Sequence, residues 1–534
     1  MITIALVLGM NQKQWAYTGE IIDSLDIPGN YPTGLTFDGT HLWLADYQTD
    51  LLYRIDPENG EVTGSISSPG YWPEGLAWDG EALWNADLKG GLPLSENYNG
   101  MIYRIDPSTG ILLRTIQAPS RSPGGLTWDG EYLWCVDNSS DEVIQFSPDD
   151  GTTIRSFRSP ASDPRGITFD GKYLWISDRI RDEIYMVDPE SGSVIIITDA
   201  PGAFTRGLCF DGEHLWAVDY QEDRIYKLKV RDGENYRQFN SHKAKITHLH
   251  EITNFGPGMI EEADIHIAIP HDRSSQSILE PPTFKPDFER VTDKWGQETA
   301  HFHFEDVNPG EKVFGEMTTV ANIHEVRYFI YPENVGSMEE IPAEIRNMYL
   351  ENNEKYQYDH PVIQSALKKA IGDEKNPYWI FRKIFNYLID NMYYEMAGGW
   401  NTAPTVLERG NGSCSEYSFV YIAMCRAAGL PARYVGSVVV RGDYASHDDV
   451  FHRWVEVYLP GYGWVPIDPS GGDNKWPRDQ AQYIGHLDHR FLITTESGGG
   501  SETMEWTYNS NAFWVSEPKS LVVSDHYAEW EPVK

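Results

Sequence analysis

GLTFDGTHLWLADYQTDLLYRIDPENGEVTGSI, residues 34–66, is the first of five similar segments in the first 230 residues. Each segment contains four short runs of apolar residues, with turn residues between the runs. A period of about 40 residues with four such runs is typical of a β-propeller blade. One tryptophan, expected to pack between blades, anchors each segment: Trp43, Trp84, Trp134, Trp175 and Trp216. The sequence therefore predicts a five-bladed β-propeller over residues 19–230.

The turns of the repeat and its two ends support the same fold. An Asp-Gly pair precedes each tryptophan, and Asp-Gly between apolar runs favours a type I′ hairpin, in which both residues take positive φ. The fifth segment ends at Val230 without a fourth strand, and residues 19–27, GEIIDSLDI, match the missing one. We expect this N-terminal strand to complete the last blade, which closes the ring and covers a sheet edge.

A second aspartate recurs where the second strand of each segment ends: Asp46, Asp87, Asp137, Asp178 and Asp219. A ring of carboxylates is one way to hold a metal, but aspartates at strand ends more often accept hydrogen bonds from nearby backbone amides, and we expect that role. The repeat as a whole resembles the propellers of the NHL and glutamine-cyclotransferase-like superfamilies. That resemblance implies the fold and leaves glutaminyl cyclase activity as an alternative function.

Residues 241–335 change to period-two alternation between Pro and Gly turns, which predicts an immunoglobulin-like β-sandwich. Two histidine pairs in this region have a spacing that puts both rings on one strand face, and such pairs are open to metal binding. Histidines in strands are more often surface or half-buried groups without a ligand, so we expect no metal site. The pairs are His248 with His250 and His301 with His303.

The first candidate catalytic residue lies in the stretch TVLERGNGSCSEYSFVYIAMCRAAGLPARYVGSVVV, residues 405–440. A glycine-rich turn leads into Cys414, and the apolar run after it predicts a buried helix over residues 414–428. Unpaired amides and the macrodipole at a helix N-terminus favour a thiolate over a thiol, which makes Cys414 a candidate nucleophile. The other cysteines are expected in protein cores: Cys135, Cys209 and Cys425.

Two further candidates lie on a predicted hairpin. His452 belongs to the strand VFHRWVEVYL, and Asp468 follows GWVPI after the turn at residues 460–463. Pairing across that turn places the imidazole and the carboxylate on one sheet face. A carboxylate fixes the imidazole tautomer, and an imidazole beside a thiol forms the ion pair of cysteine acyl-transfer enzymes.

These motifs, in this order and spacing, resemble the transglutaminase-like superfamily over residues 341–495. The resemblance implies an α+β, papain-like core, which prokaryotic members often place after a β-domain. It also implies roles for three residues: Cys414 as nucleophile, His452 as general base and acid, and Asp468 as the group that orients the histidine.

The oxyanion hole is expected to use the backbone N–H of Cys414. Animal transglutaminases supply the second donor from a tryptophan upstream of the cysteine, whereas the matching place here is NMYYE, residues 391–395. We therefore predict Tyr394 as the second donor, with Tyr393 and Trp400 as the alternatives.

Composition restricts the partners. The 534 residues carry a formal charge of −37, which disfavours nucleic acid, and no apolar run is long enough to span a bilayer. Four cysteines are too few for a disulfide scaffold. Residues 1–18 are expected to be a signal remnant or a disordered start, and residues 496–534 a β-rich tail. The domain plan favours export or the cell envelope over the cytoplasm.

The leading hypothesis is cysteine-dependent acyl transfer on protein or peptide amides, with hydrolysis modestly favoured over transamidation. No cofactor or metal is expected, and the propeller would recruit a protein, peptide or cell-surface polymer. The alternatives are a non-catalytic protein that mediates interactions in the cell envelope, and glutaminyl cyclase activity of the propeller.

Overall fold

The computed structural model describes five stretches of the chain: residues 17–88, 100–231, 233–396, 399–440 and 446–533. The signal remnant or disordered start predicted at residues 1–18 therefore lies almost entirely outside the described residues. The chain divides into two compact units: Met1–Asn235 with Trp476–Arg478, and Tyr236–Lys475 with Asp479–Lys534. Among the described residues, no helix has the length and apolar character needed to cross a bilayer.

The first unit contains five four-stranded antiparallel sheets. Four of them use four consecutive strands: β2 (Pro32–Phe37), β3 (Leu42–Asp46), β4 (Leu51–Ile55) and β5 (Val62–Ser67); β6 (Pro73–Trp78), β7 (Leu83–Asp87), β8 (Met101–Ile105) and β9 (Leu112–Gln117); β10 (Pro123–Trp128), β11 (Leu133–Asp137), β12 (Glu142–Phe146) and β13 (Thr153–Arg158); β14 (Pro164–Phe169), β15 (Leu174–Asp178), β16 (Glu183–Val187) and β17 (Val194–Asp199). The fifth joins the N-terminal strand to the last repeat: β1 (Ile21–Asp26), β18 (Thr205–Phe210), β19 (Leu215–Asp219) and β20 (Arg224–Leu228). The predicted pairing of the N-terminal strand with the last repeat is confirmed, because β1 runs antiparallel to β20.

The first strands of the repeats form a closed circuit of neighbours, from β2 through β6, β10 and β14 to β18 and back to β2. One glycine in each repeat permits this close approach, because a Cβ there would lie 2.1–2.7 Å from the backbone of the next strand in the circuit. The glycine of the last repeat meets the backbone of the first, which completes the circuit. The glycines are Gly34, Gly75, Gly125, Gly166 and Gly207.

The Asp-Gly hairpins form as predicted, but their turn type is different. In the first repeat Gly39 has φ +94°, whereas Asp38 is not at positive φ, so the turn is not type I′. The carboxylate of Asp38 instead accepts hydrogen bonds from the amides two and three residues later and from Nε1 of Trp43 at 2.8 Å. The same aspartate–tryptophan bond recurs in the other four repeats at 2.7–3.0 Å. Side-chain hydrogen bonding thus replaces the strained aspartate backbone that the sequence reasoning assumed.

The aspartates at the strand ends have the expected structural role. Asp46 is buried; its Oδ1 accepts from the amides of Gln48 and Thr49, and its Oδ2 accepts from the amide of Tyr31. Each of the other four aspartates is also buried and accepts a hydrogen bond from the amide 15 residues earlier. These bonds tie the start of each repeat to the end of its second strand.

The second unit begins with two antiparallel sheets that share a core. One has the order β23-β26-β21-β36-β30, with β33 on β26, and the other the order β24-β25-β22-β35. Apolar residues from both sheets, such as Ile252, Ile265 and Phe302, form the core between them. The strands are β21 (Tyr236–Asn254), β22 (Met259–Ala268), β23 (Gln276–Lys285), β24 (Glu289–Thr292), β25 (Glu298–Val307), β26 (Lys312–Tyr328), β30 (His447–Asp448), β33 (His486–Leu487), β35 (Ser510–Glu517) and β36 (Val522–Pro532).

The structure differs from the predicted boundary at residues 496–534. This segment is not a separate tail, because β35 pairs with β22 and β36 pairs with β21 along 11 residues. Unpaired edges of β21 and β22 would otherwise leave backbone amides and carbonyls without partners.

The remaining elements pack helices against a four-stranded antiparallel sheet of order β32-β31-β29-β34. Asn376 caps the helix that begins at Pro377, since its side chain accepts from the amides of Tyr378 and Trp379. The central helix of this part, α5, is buried along almost its whole length and contacts β31 and β29. The elements are α1 (Ala343–Tyr349), α2 (Pro361–Ile371), α3 (Pro377–Asn391), β27 (Tyr393–Tyr394), α4 (Ala403–Arg409), β28 (Asn411–Gly412), α5 (Cys414–Ala427), β29 (Ala432–Val439), β31 (His452–Leu459), β32 (Gly463–Ile467), α6 (Pro477–Ala481) and β34 (Phe491–Ser497), with short 3₁₀ turns at Pro332–Asn334 and Met338–Glu340.

Candidate functional site

Cys414 is the first residue of α5, as the sequence predicts. Helix α5 begins there because the sequence Ser-Cys-Ser-Glu places Glu416 three residues after the N-cap Ser413, and the Glu416 carboxylate accepts from the Ser413 amide at 3.3 Å. At the first position of a helix the backbone N–H has no acceptor within the helix, so it is free to serve a ligand. The thiol of Cys414 therefore lies beside an amide of the right kind to hold an anion.

Glu416 also connects α5 to the two segments that precede it. Its side chain is fully buried, and its two oxygens accept from Arg409 Nη2 at 2.7 Å and from Asn401 Nδ2 at 2.8 Å. The Asn401 amide donates to the same carboxylate at 3.2 Å. Because a buried carboxylate is costly unless it is paired, these contacts fix where α5 starts and thus where the Cys414 sulfur lies.

His452 and Asp468 form a hydrogen-bonded pair. His452 opens β31 and Asp468 follows β32, and the register of these strands brings the two side chains close diagonally. Nε2 of His452 lies 2.7 Å from Oδ2 of Asp468. The second oxygen of Asp468 accepts from the amide and hydroxyl of Ser470 and from the amide of Gly471, at 2.6–3.2 Å. Both oxygens are engaged, so the carboxylate has a fixed orientation and leaves Nδ1 of His452 to face other groups.

The third member of the predicted set lies at the same site, because Cys414 and His452 line one cavity and each shifts the pKa of the other. Burial raises the pKa of the Cys414 thiol, but the hydrogen bond and charge of His452, with smaller contributions from the Arg453 amide and guanidinium, lower it below its usual value. Burial lowers the pKa of His452, yet the charge and hydrogen bond of Asp468, helped by Cys414, raise it to about 10. These opposite shifts favour the pair of a thiolate at Cys414 and an imidazolium at His452 over the neutral pair.

Arg453 places a second positive charge near the sulfur. Its guanidinium is completely buried, and Nη2 donates to the carbonyl of Trp506 at 2.5 Å. Aromatic rings surround the guanidinium carbon at 4.3–5.5 Å from their centres, which compensates for part of the lost hydration. These rings belong to Trp400, Phe419, Tyr434 and Tyr508.

A cavity of about 450 Å³ opens onto Cys414 and His452. Its walls combine polar groups with apolar and aromatic side chains such as Val439, Phe451 and Phe491, and the exposed Met396 lies at its rim. Met396 has 68% of its surface exposed and Trp400 40%, so the cavity is open to solvent.

The structure distinguishes the three candidates for a second oxyanion donor. Strand β27 runs parallel to β28, which leads directly into Cys414, and Tyr394 lines the cavity. Trp400 also lines the cavity. Tyr393 does not; its hydroxyl accepts from Asn411 Nδ2 at 3.0 Å. Tyr394 and Trp400 therefore remain as candidates.

Sequence reasoning missed the contribution of Tyr508. This residue lies well beyond the predicted catalytic motifs, yet its ring lines the cavity and stacks over Arg453 at 4.3 Å. Burial first, and then the negative charge of Cys414, raises the pKa of Tyr508. No motif marks Tyr508, whereas the Ser-x-x-Glu capping box was a signal by which Glu416 could have been found.

Comparison with known proteins places this part of the chain in a family. The family model for the transglutaminase-like superfamily matches residues 365–469, which include all three predicted catalytic residues. A protein-glutamine γ-glutamyltransferase from Pseudomonas aeruginosa is 36% identical over 66 residues, which are 11% of this chain and 10% of that protein. The chain spans between 10% and 36% of the length of the curated relatives it matches.

Two solved structures are similar to parts of the chain at low identity and low TM-score. A candidate cysteine protease from Cytophaga hutchinsonii is 16% identical and has a TM-score of 0.39, over 56% of this chain and 93% of that one. A glutaminyl cyclase from Myxococcus xanthus is 16% identical with a TM-score of 0.35, over 40% of this chain and 95% of that one. The family match covers residues 365–469, and most of the helices, most of the sheet and the three candidate side chains lie in the same part of the chain. The chain therefore contains a domain of the transglutaminase-like superfamily.

Proposed function

We propose that this protein is a cysteine-dependent enzyme that transfers acyl groups from protein or peptide amides, with Cys414, His452 and Asp468 as its catalytic triad. The observation that carries the proposal is the thiol at the start of α5, which lines one cavity with an imidazole whose Nε2 lies 2.7 Å from a fixed carboxylate. An ion pair of this kind is the activated form of a nucleophilic cysteine.

In the first half-reaction the Cys414 thiolate attacks the carbonyl carbon of the amide. A carbon–sulfur bond forms and the carbonyl electron pair moves to oxygen, where the Cys414 amide and the Tyr394 hydroxyl donate to it. The oxyanion then re-forms the carbonyl, the carbon–nitrogen bond breaks, and His452 gives its proton to the leaving amine. Asp468 stabilises the imidazolium before that transfer, and the product on the enzyme is a thioester.

In the second half-reaction neutral His452 takes a proton from the nucleophile that attacks the thioester. Water yields a carboxylic acid, and a primary amine yields a new amide; in both cases the carbon–sulfur bond breaks and the thiolate returns. Since the rim residues Met396 and Trp400 are exposed, water reaches the thioester freely. We therefore favour hydrolysis, with transamidation when an amine is bound in place of water.

The other parts of the chain support recruitment of a large substrate. The five four-stranded sheets with their closed circuit of inner strands support a five-bladed β-propeller. The two sheets around the core of Ile252, Ile265 and Phe302 support a β-sandwich of the immunoglobulin-like kind. Propellers present loops on two faces, and we propose that this one recruits the protein substrate.

The test is incubation of the full chain with a casein-like protein, with and without a labelled primary amine. Peptide fragments, or conversion of glutamine to glutamate, establish hydrolysis, and incorporated label establishes transamidation. Either activity should be lost in Cys414→Ala and retained in Cys425→Ala, which changes a buried cysteine on the same helix. If iodoacetamide labels Cys414 no faster than an ordinary thiol and His452→Ala leaves that rate unchanged, the proposal is wrong.

A further inference from the structure

The outer face of the β22–β25 strand pair carries a cluster of histidines and one carboxylate. Antiparallel register places Asp264 directly opposite His303, and His266 directly opposite His301. Since alternate residues of a strand share a face, these four side chains lie on the same side of the sheet. The cluster belongs to the second unit and is independent of the proposed catalytic function.

Three of these side chains converge on one point. Nε2 of His301 lies 2.7 Å and Nδ1 of His303 2.8 Å from the same oxygen, Oδ1 of Asp264. One ligand atom from each residue lies within 4.8 Å of the other two. We propose that Asp264, His301 and His303 bind a divalent first-row transition metal ion, for which Zn²⁺ is the best-fitting candidate.

The donor set selects the class of metal. Two imidazoles and one carboxylate suit zinc and its neighbours, whereas Ca²⁺ and Mg²⁺ prefer oxygen ligands throughout. Ligand bonds of about 2.0–2.2 Å in tetrahedral geometry hold donor atoms about 3.4 Å apart. Each histidine nitrogen therefore has to move from the Asp264 oxygen by only about 0.6 Å to admit the ion.

Neighbouring groups hold the two imidazoles as a metal site requires. Nε2 of His303, the nitrogen that points away from Asp264, lies 3.8 Å from a carboxylate oxygen of Glu305. This distance is too long for a hydrogen bond, but a small rotation of the exposed Glu305 side chain would allow one, and outer carboxylates so bonded orient metal-bound histidines. His266 stacks on His301 with ring centres 4.5 Å apart and planes within 5°, which restrains the second imidazole.

The site is accessible to an ion and to water. The side chains of Asp264, His301 and His303 are 30%, 22% and 46% exposed. Three protein ligands and solvent access leave at least one coordination position for water. Sequence spacing alone could show only the histidine pair, because Asp264 is 37 residues away along the chain.

The experiment titrates full-length protein with Zn²⁺ by calorimetry after treatment with a chelator. The Cys414→Ala variant is the background, because a thiol beside an imidazole and a carboxylate also binds zinc. We expect one equivalent to bind. Asp264→Asn, which preserves shape, and His303→Ala should each weaken binding at least about tenfold, the lower bound for loss of an outer partner of a metal ligand.

His447→Ala is the matched control, since His447 is also an exposed strand histidine near a carboxylate, 3.9 Å from Asp449, and the described residues offer it no third ligand. It should bind zinc as the background does. Far-UV circular dichroism confirms that each variant is folded. Absence of zinc binding in the Cys414→Ala background would overturn the proposal, as would an affinity unchanged by both Asp264→Asn and His303→Ala.

Discussion

Replacing Asp468 with asparagine tests the electrostatics of the proposed triad directly. The amide is close in shape to the carboxylate and keeps an oxygen for the Ser470 and Gly471 donors, but it removes the negative charge beside His452. If that charge stabilises the imidazolium of His452, the Asp468→Asn variant should be active over a narrower range of pH than the native enzyme, with both the acidic and the alkaline limit moved inwards.

The size of the effect follows from the geometry. His452 Nε2 and Asp468 Oδ2 are 2.7 Å apart. Charge centres about 4 Å apart at an effective dielectric constant of about 20 interact by about 4 kcal/mol, which equals about 3 pKa units. This accounts for most of the rise in the pKa of His452 from 6.5 to about 10. Without the charge, the pKa of His452 should fall to roughly 7–8, and that of Cys414 should rise.

Two measurements follow the two limbs of the pH profile. Attack needs the Cys414 thiolate, so the rate of iodoacetamide labelling rises with pH through the pKa of that thiol. Expulsion of the amine needs the imidazolium, so kcat/KM falls as pH passes through the pKa of His452, near 10 in the native enzyme. In Asp468→Asn the labelling limb should move to higher pH, and the falling limb of kcat/KM should move down by about 2–3 pH units.

Asp473→Asn is the matched control, because it removes the same charge from an exposed position in the same loop. It should leave both limbs in place. If Asp468→Asn also leaves both limbs where they are in the native enzyme, the carboxylate does not support the imidazolium and the assignment of the triad is wrong.

Three further substitutions have definite expectations. Glu416→Gln should slow alkylation of Cys414 and lower the free energy of unfolding by about 1–3 kcal/mol, because the buried donors around Glu416 lose a charged acceptor. Urea unfolding measures this loss, and an unchanged midpoint of the urea curve would contradict the expectation. If the Tyr394 hydroxyl donates to the oxyanion, Tyr394→Phe should lower kcat about 100-fold with little change in KM. Tyr393→Phe is the control and should have no effect. Equal kcat values in the two variants would show that another group donates to the oxyanion. Burial, and to a smaller extent the charge of His526, lowers the pKa of His250 to about 3. Between pH 6.5 and pH 3 the unfolded chain is therefore protonated at this histidine, whereas the folded protein is not. Over that range the free energy of unfolding should fall by about 1.4 kcal/mol for each pH unit of acidification. His250→Gln should remove that part of the slope in denaturation curves measured at several pH values, and an unchanged slope would show that other groups cause it.

The sheets of the first unit were predictable because their determinants are local. The aspartate before each tryptophan, the turn glycine and the glycine of the inner strand all lie within one repeat, and the structure uses each of them. The turn type was not predictable from the dipeptide alone. The choice between positive φ at Asp38 and a carboxylate bonded to Trp43 depends on the neighbouring strand, which brings the indole N–H within 2.8 Å.

In the second unit the pairing of strands depends on contacts between distant parts of the sequence, so it was not predictable from local motifs. Pairing of β21 with β36 joins residues such as His248 and Ala528, which are far apart in the sequence. Alternation predicts that both segments are strands, but it contains no information about which strands are partners. For the same reason the histidine pair on β25 was visible in the sequence, while its third partner on β22 was not.

The candidate site contains residues of a local motif and also residues that are brought to it from distant parts of the sequence. The family match at residues 365–469 includes the nucleophile, the histidine and the carboxylate. The cavity around them also needs Arg490, Phe491 and Tyr508, which lie beyond that match. Tyr508 precedes β35, and β35 pairs with β22, so the sheets of the preceding β region hold one wall of the cavity in place. The proposed catalytic residues thus belong to a local motif, whereas Tyr508, which lines the same cavity, comes from a segment whose position depends on the rest of the unit. Substrate preference should consequently respond to changes at Tyr508 and Phe491, even where the triad itself is untouched.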